Sequence, residues 1–105
     1  MFEINQDKNV LKVTGGAGGP EVDKFAKKFE SLVKGEDKVI VIDLTNAEFI
    51  DSHFLGLLIY NHSTLKKEER QLIVVNDNDD ENFINKVFKM TNLYKVLKIV
   101  KKYPE

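Results

Sequence analysis

Asp51, Ser52 and His53 stand side by side in "FIDSHFLGLL" (49–58), and an apolar run follows at once. These types can make a nucleophile with its base, a metal corner, or a hydroxyl offered to another protein's chemistry. A catalytic triad brings its three groups together from separate places, with the base in hydrogen-bond reach of the hydroxyl. Three consecutive residues point in different directions on either a strand or a helix. The nucleophile-elbow pattern G-x-S-x-G is absent. The second histidine, His62, falls nine residues on, along the same expected helix. A small hydrolase using Ser52 is therefore the weakest reading, and no catalytic residue is expected.

A metal site fares no better. His53 and His62 are not spaced i, i+4, and the chain has no cysteine, which removes thiolate ligands, disulfides and thiol catalysis. "DNDDEN" (77–82) has the acids of a calcium loop but not its central glycine or its twelfth-position glutamate. Acids before a helix favour its positive end instead. "TGGAGGPEVDK" (14–24) lacks the Lys-Ser/Thr of a phosphate loop and places Glu21 and Asp23 in the first turn, where acid repels phosphate. No cofactor is expected.

The remaining reading makes Ser52 a helix N-cap, worth roughly 1 kcal/mol. A hydroxyl at a helix N-terminus is also exposed and electrostatically prepared for a phosphate. The sequence thus offers Ser52 as a modifiable serine, with Asp51 beside it.

The elements that must hold it there follow from periodicity. "FEINQDKNVLKVTG" gives two short strands, 2–5 and 9–14, with polar residues 5–8 at the turn. After the break at "GGAGG", Pro20 takes a first helical position. Val22, Phe25, Ala26, Phe29, Leu32 and Val33 then form one helical face. Gly35 stops that helix. "VIVIDL" (39–44) is apolar on both faces, as in the middle of a covered parallel sheet. Phe54 to about Lys67 is helical, "QLIVV" (71–75) is a second buried strand, and a third helix turns Phe83, Ile84, Val87 and Phe88 inward. "VLKIV" (96–100) is an edge strand. The order β-β-α-β-α-β-α-β predicts one α/β domain over residues 1–105, with an open, mostly parallel or mixed sheet of four to five strands and at least three helices. Sites in such sheets gather beyond the strand carboxyl ends, here residues 14–20, 44–53 and 76–80.

The composition agrees. Hydrophobic residues make up 42% and charged residues 31%, as in a soluble globular domain. A net charge of −1, with Arg70 the only arginine, argues against a nucleic-acid surface or a polybasic membrane patch. "MFEINQDKNV" carries acids where a signal peptide is apolar, and no run approaches the ~20 residues that span a bilayer. A cytoplasmic protein without membrane insertion is expected.

"VIVIDLTNAEFIDSHFLGLLIYNHSTLKKEERQLIVVN" (39–76) resembles the STAS domain of the anti-sigma factor antagonists: strand, Asp-Leu, short loop, apolar-Asp-Ser, helix, then a "LIVVN" strand. "KMTNLYKVLKIV" (89–100) is similar to the family's last corner, with Asn92 where glycine is usual. The resemblance covers residues 2–100. It implies that Ser52 is a phosphoacceptor and that the protein is no enzyme. The implied partners are an anti-sigma factor that is also a Ser/Thr kinase, and a PP2C-type phosphatase. The protein would act in a bacterial partner switch, as a monomer or weak dimer. Asp51, His53, Phe54 and Gly18 are the expected partner-binding residues, although an aromatic such as Phe54 more often turns into the core. His53 and Phe54 replace a small residue and a glycine of the family pattern, and Gly18 stands where the family has an acid. The same resemblance admits a second role, a docking module of a stress-sensing scaffold or of a lipid or anion transporter.

Overall fold

A computed structural model describes residues 2–104. The chain runs β1 (Phe2–Asp7), β2 (Val10–Ala17), α1 (Val22–Lys34), β3 (Val39–Ile50), α2 (Ser52–Lys67), β4 (Gln71–Val75), α3 (Phe83–Met90) and β5 (Lys98–Val100). Short 3-10 turns at Gly19–Glu21 and Leu93–Lys95 lead into α1 and β5. The expected element order is the observed one. The five strands form one mixed sheet in the order β1-β2-β3-β4-β5. β1 is antiparallel to β2, and every other neighbouring pair is parallel.

Alternation along the strands explains the layering. Leu11 and Val13 of β2, Ile40, Ile42 and Leu44 of β3, and Leu72 and Val74 of β4 share one face. The buried apolar residues of all three helices join that same cluster, among them Phe25 and Phe29 from α1, Leu58 and Leu65 from α2, and Ile84 and Phe88 from α3. The alternate positions Val41, Ile73 and Val75 form a smaller buried cluster on the other face. "VIVIDL" is apolar on both faces because each face supplies a cluster.

Several boundaries differ from the sequence expectation. The turn after β1 is tighter, with Lys8 at φ +55° between strands that end at Asp7 and resume at Val10. β5 is shorter, since Val96 and Leu97 precede it. Asn92 adopts φ +58°, a left-handed conformation that asparagine tolerates better than most residues, so it can stand at a glycine corner. On α3, Ile84 and Phe88 are buried but Phe83 is 52% exposed. Asn85 takes the inward place instead. Its Nδ2 donates to the Asp79 carbonyl at 3.0 Å and its Oδ1 accepts from the Tyr94 hydroxyl.

The largest difference lies in β3, which continues past Leu44 to Ile50. β4 accompanies it only to Asp43. Beyond that point β3 pairs with β2 alone, and β2 itself extends through Gly15, Gly16 and Ala17. Two register shifts, between Lys12 and Thr14 and between Gly15 and Gly16, each place an extra residue on β3. Such bulges bend a strand and re-aim its end. They carry the β3 terminus, and with it the start of α2, beyond the ends of β4 and β5.

Candidate functional site

The site is built where β3 meets α2. Asp51, not Ser52, is the helix N-cap. Its backbone is extended (φ −102°, ψ 179°), and its Oδ1 accepts from the Phe54 amide at 2.9 Å. Its other oxygen, Oδ2, accepts from the Gly19 amide at 3.1 Å, while its own amide donates to the Ala17 carbonyl at 3.0 Å. One carboxylate thus joins the glycine-rich segment to the first turn of α2. The sequence favoured serine for this role, but aspartate caps as well, and only the residue outside the helix can do so. Ser52 is therefore the first helical residue.

These hydrogen bonds hold the Asp51 carboxyl below its ordinary value of 3.8. The Phe54 amide is the largest cause. Partial burial opposes it, and Gly19 and the nearby His53 add to the lowering. A carboxyl depressed in the folded state contributes stability above its unfolded value and loses that contribution as pH falls through the folded value. Asp51→Ala should therefore cost about 1 kcal/mol at neutral pH, and the gap to wild type should narrow as pH falls below about 4. Asp51→Asn, which retains a capping oxygen but not the charge, should fall between wild type and Asp51→Ala at pH 7. Urea unfolding of the three proteins at pH 7 and pH 3 measures this; a gap unchanged by acid would show that the carboxylate's charge is irrelevant.

Ser52 is exposed. Its hydroxyl makes no hydrogen bond among the described residues. The Phe54 and Leu55 amides are taken by the Asp51 side chain and carbonyl. The Ser52 and His53 amides precede them at the open N-terminus of the helix. An anion on Ser52 would meet these donors and the positive end of the α2 dipole.

His53 is exposed beside Ser52. Phe54 is not available to a partner. It is fully buried and stacks on Phe25, with ring centroids 4.3 Å apart and planes 24° apart. Phe54, Leu58, Asn61 and Leu65 are the buried positions of α2, a helical stripe facing the sheet. The expectation of a partner-binding Phe54 is thus corrected: its direction on the helix places it in the core. His62 lies about 14 Å further along the helix axis than His53, by the rise per residue, so no triad forms around Ser52.

Gly18 is half-buried next to Asp51. A Cβ there would lie 3.1 Å from the Phe49 ring and 3.4 Å from Asp51 Oδ2. Gly16 is opposite Phe49 in the β2–β3 register, and a Cβ at Gly16 would overlap that ring. The glycine-rich segment is therefore neither a phosphate cradle nor a slack connection. Residues 15–17 are strand backbone, and the bare Gly16 and Gly18 leave room for the Phe49 ring to lie across them. Phe49 remains 46% exposed and flanks Asp51, so it is a surface residue of the site that periodicity alone did not single out. The available signal was an aromatic opposite bare glycines.

The acidic loop beyond β4 is turn-forming. Asp77 and Asp79 accept from the Asp79 and Glu81 amides at 3.0 and 2.8 Å, and Asn82, not an acid, caps α3. No group of three or more candidate ligands that could hold a metal occurs among the described residues. Among the described residues no helix is long and apolar enough to cross a membrane.

A mixed α/β sheet that projects a serine from a helix N-terminus, beyond its longest parallel strand, defines the class of domain. The family model for the STAS domain matches residues 2–105, and the chain belongs to that family. Solved structures with the same fold include an anti-sigma factor antagonist from Mycobacterium paratuberculosis (20% identity, 98% of this chain and 86% of that one, TM-score 0.79). The anti-sigma factor antagonist SpoIIAA in its unphosphorylated form is also similar (18% identity, 94% of this chain and 87% of that one, TM-score 0.73). A third is an anti-sigma-factor antagonist (STAS) domain protein from Planctomyces limnophilus (19% identity, 97% and 90% coverage, TM-score 0.69). No curated protein matches the sequence.

Proposed function

We propose that this protein is an anti-sigma factor antagonist of a bacterial partner switch, cytoplasmic and non-catalytic, and that Ser52 is its phosphoacceptor. The observation that carries the reading is an exposed serine hydroxyl with no partner among the described residues, at the open N-terminus of α2. The unmodified protein docks on an anti-sigma factor that is also a Ser/Thr kinase. That kinase transfers the γ-phosphoryl of ATP to the Ser52 oxygen, releasing ADP and the hydroxyl proton. A PP2C-type phosphatase hydrolyses the ester and resets the switch. Phosphate adds about −1.5 to −2 charges at neutral pH. The docking face around it comprises Asp51, His53, Gly18 and, in place of Phe54, the exposed Phe49 ring.

Intact-protein mass spectrometry after incubation with ATP, Mg²⁺ and host-cell extract tests this, with Ser52→Ala as control. One added phosphate on wild type and none on the variant is the expected result. A phosphate on both proteins, or on neither in an extract that phosphorylates another antagonist, would remove Ser52 as acceptor. In the second case the departures at His53 and Gly18 favour a docking module that stays bound to its scaffold or transporter.

A further inference from the structure

At the end of the sheet away from Ser52, the start of β4, the approach to β5 and the C-terminal half of α2 border an open groove of about 600 Å³. Its apolar lining is Leu72, Leu97, Val39 and Val96. Leu72 and Leu97 are buried from solvent, whereas Val96 is 48% exposed. The polar lining is mostly basic: Lys38, Lys66, Lys98 and His62. Glu69 is its single acid. Arg70 also borders the groove, but its guanidinium is committed elsewhere. It closes the end of α1 by donating to the carbonyls of Val33 at 2.7 Å and Asp37 at 2.8 Å, and it pairs with Glu68.

This basic excess runs against the chain's overall charge of −1. Acids concentrate instead beyond the carboxyl end of β4, at Asp77, Asp79, Asp80 and Glu81. Neither Lys38 nor Lys66 forms an ion pair among the described residues. Burial, and then the Lys66 charge, lower the pKa of His62, as expected for a partly buried imidazole beside a cation. The negative end of α2 does not fill that need. Its Leu65 and Lys66 carbonyls already accept from the amides of Glu68, Glu69 and Arg70. A larger groove, of about 640 Å³, separates α1 from α2, but Glu30 and Glu68 balance its cations, Lys34 and Arg70.

An apolar floor with a basic rim fits an amphiphilic anion, with its chain on the accessible valines and its head at the lysines. Lysines supply point charges, which suit a carboxylate without the bidentate fork of arginine. We propose that this groove binds an acyl carboxylate, with the alkyl chain over Val96 and Val39, above the buried Leu72 and Leu97, and the carboxylate between Lys38 and Lys66. The site is independent of Ser52 and of the partner switch.

The test is a backbone amide NMR titration of the full chain with three probes below their aggregation limits: sodium decanoate, 1-decanol and inorganic phosphate. Saturable decanoate shifts centred on Leu72, Leu97 and Lys66 are expected, with decanol and phosphate each about tenfold weaker or more. Lys38→Glu combined with Lys66→Glu should weaken decanoate about tenfold or more while leaving the thermal midpoint nearly unchanged, since both side chains are exposed. Decanol binding as well as decanoate would reduce the groove to a bare apolar contact and overturn the proposal. So would phosphate binding as tightly as decanoate, decanoate affinity that ignores the double substitution, or shifts that fail to saturate or fall elsewhere.

Discussion

Phe54→Ala is expected to destabilise the protein by about 3–5 kcal/mol, a large share of the roughly 5–15 kcal/mol that holds a domain together. The side chain is fully buried and stacked on Phe25, which also packs edge-on against Phe29 at 5.4 Å. Removing the ring leaves a cavity where α1, α2 and the sheet meet. It also strips one side of an aromatic pair, worth about 0.5–1.5 kcal/mol beyond its buried area. Phe54→Leu keeps most of the volume and should cost appreciably less. Tyr60→Ala on the same helix, at a side chain 71% exposed, should stay within about 0.5 kcal/mol of wild type. Urea unfolding of the set reads these values. A Phe54→Ala protein as stable as Tyr60→Ala would contradict the buried position and return Phe54 to the docking surface.

That residue shows where a sequence is legible and where it is not. The element order followed from hydrophobic period, because the clusters on the two sheet faces impose a spacing of two on the strands and of about 3.6 on the helices. The end of β3 was invisible for the same reason. From Thr45 to Phe49 the strand pairs only with β2, and Thr45, Asn46 and Glu48 are exposed. No apolar pattern marks it. Asp43, whose Oδ1 accepts from the amide and hydroxyl of Thr45 at 2.9 and 2.7 Å, resembles the start of a loop. On α3, the buried Asn85 displaced Phe83 from the inward arc. A polar residue enters a core only where partners await it, and those partners, Asp79 and Tyr94, come from other segments. Asp51 and Ser52 were legible as a capped helix start, but the division of labour between them depends on which residue lies outside the first turn. Phe49 depended on cross-strand register with Gly16, which chain-local reading does not contain.

Ser52→Asp should separate fold from docking. Within the free protein the new carboxylate enters the first turn of α2, beside amides not used by the Asp51 cap. Acid there is favourable by about 0.3–1 kcal/mol. The like charge of Asp51 opposes this gain, so stability should stay within about 0.5 kcal/mol of wild type. At the proposed docking face the balance reverses. Asp51, the residue before the serine, is flanked by Gly18, Gly19 and the exposed Phe49 ring, which offer a new side-chain charge no compensation once a partner excludes water. Burying a carboxylate against apolar surface is strongly unfavourable unless the partner supplies a cation. Affinity for a partner recovered on the wild-type protein, by the proposed function an anti-sigma factor, should fall about 10–100-fold, or roughly 1.4–2.7 kcal/mol. Ser52→Asn separates charge from bulk, being close in size to Asp and neutral, and should retain most of the affinity. Calorimetric titration of the three proteins decides the matter. Equal affinity for Ser52→Asp and wild type would mean that charge at this position does not govern docking, and a loss shared equally by Asp and Asn would assign the effect to shape.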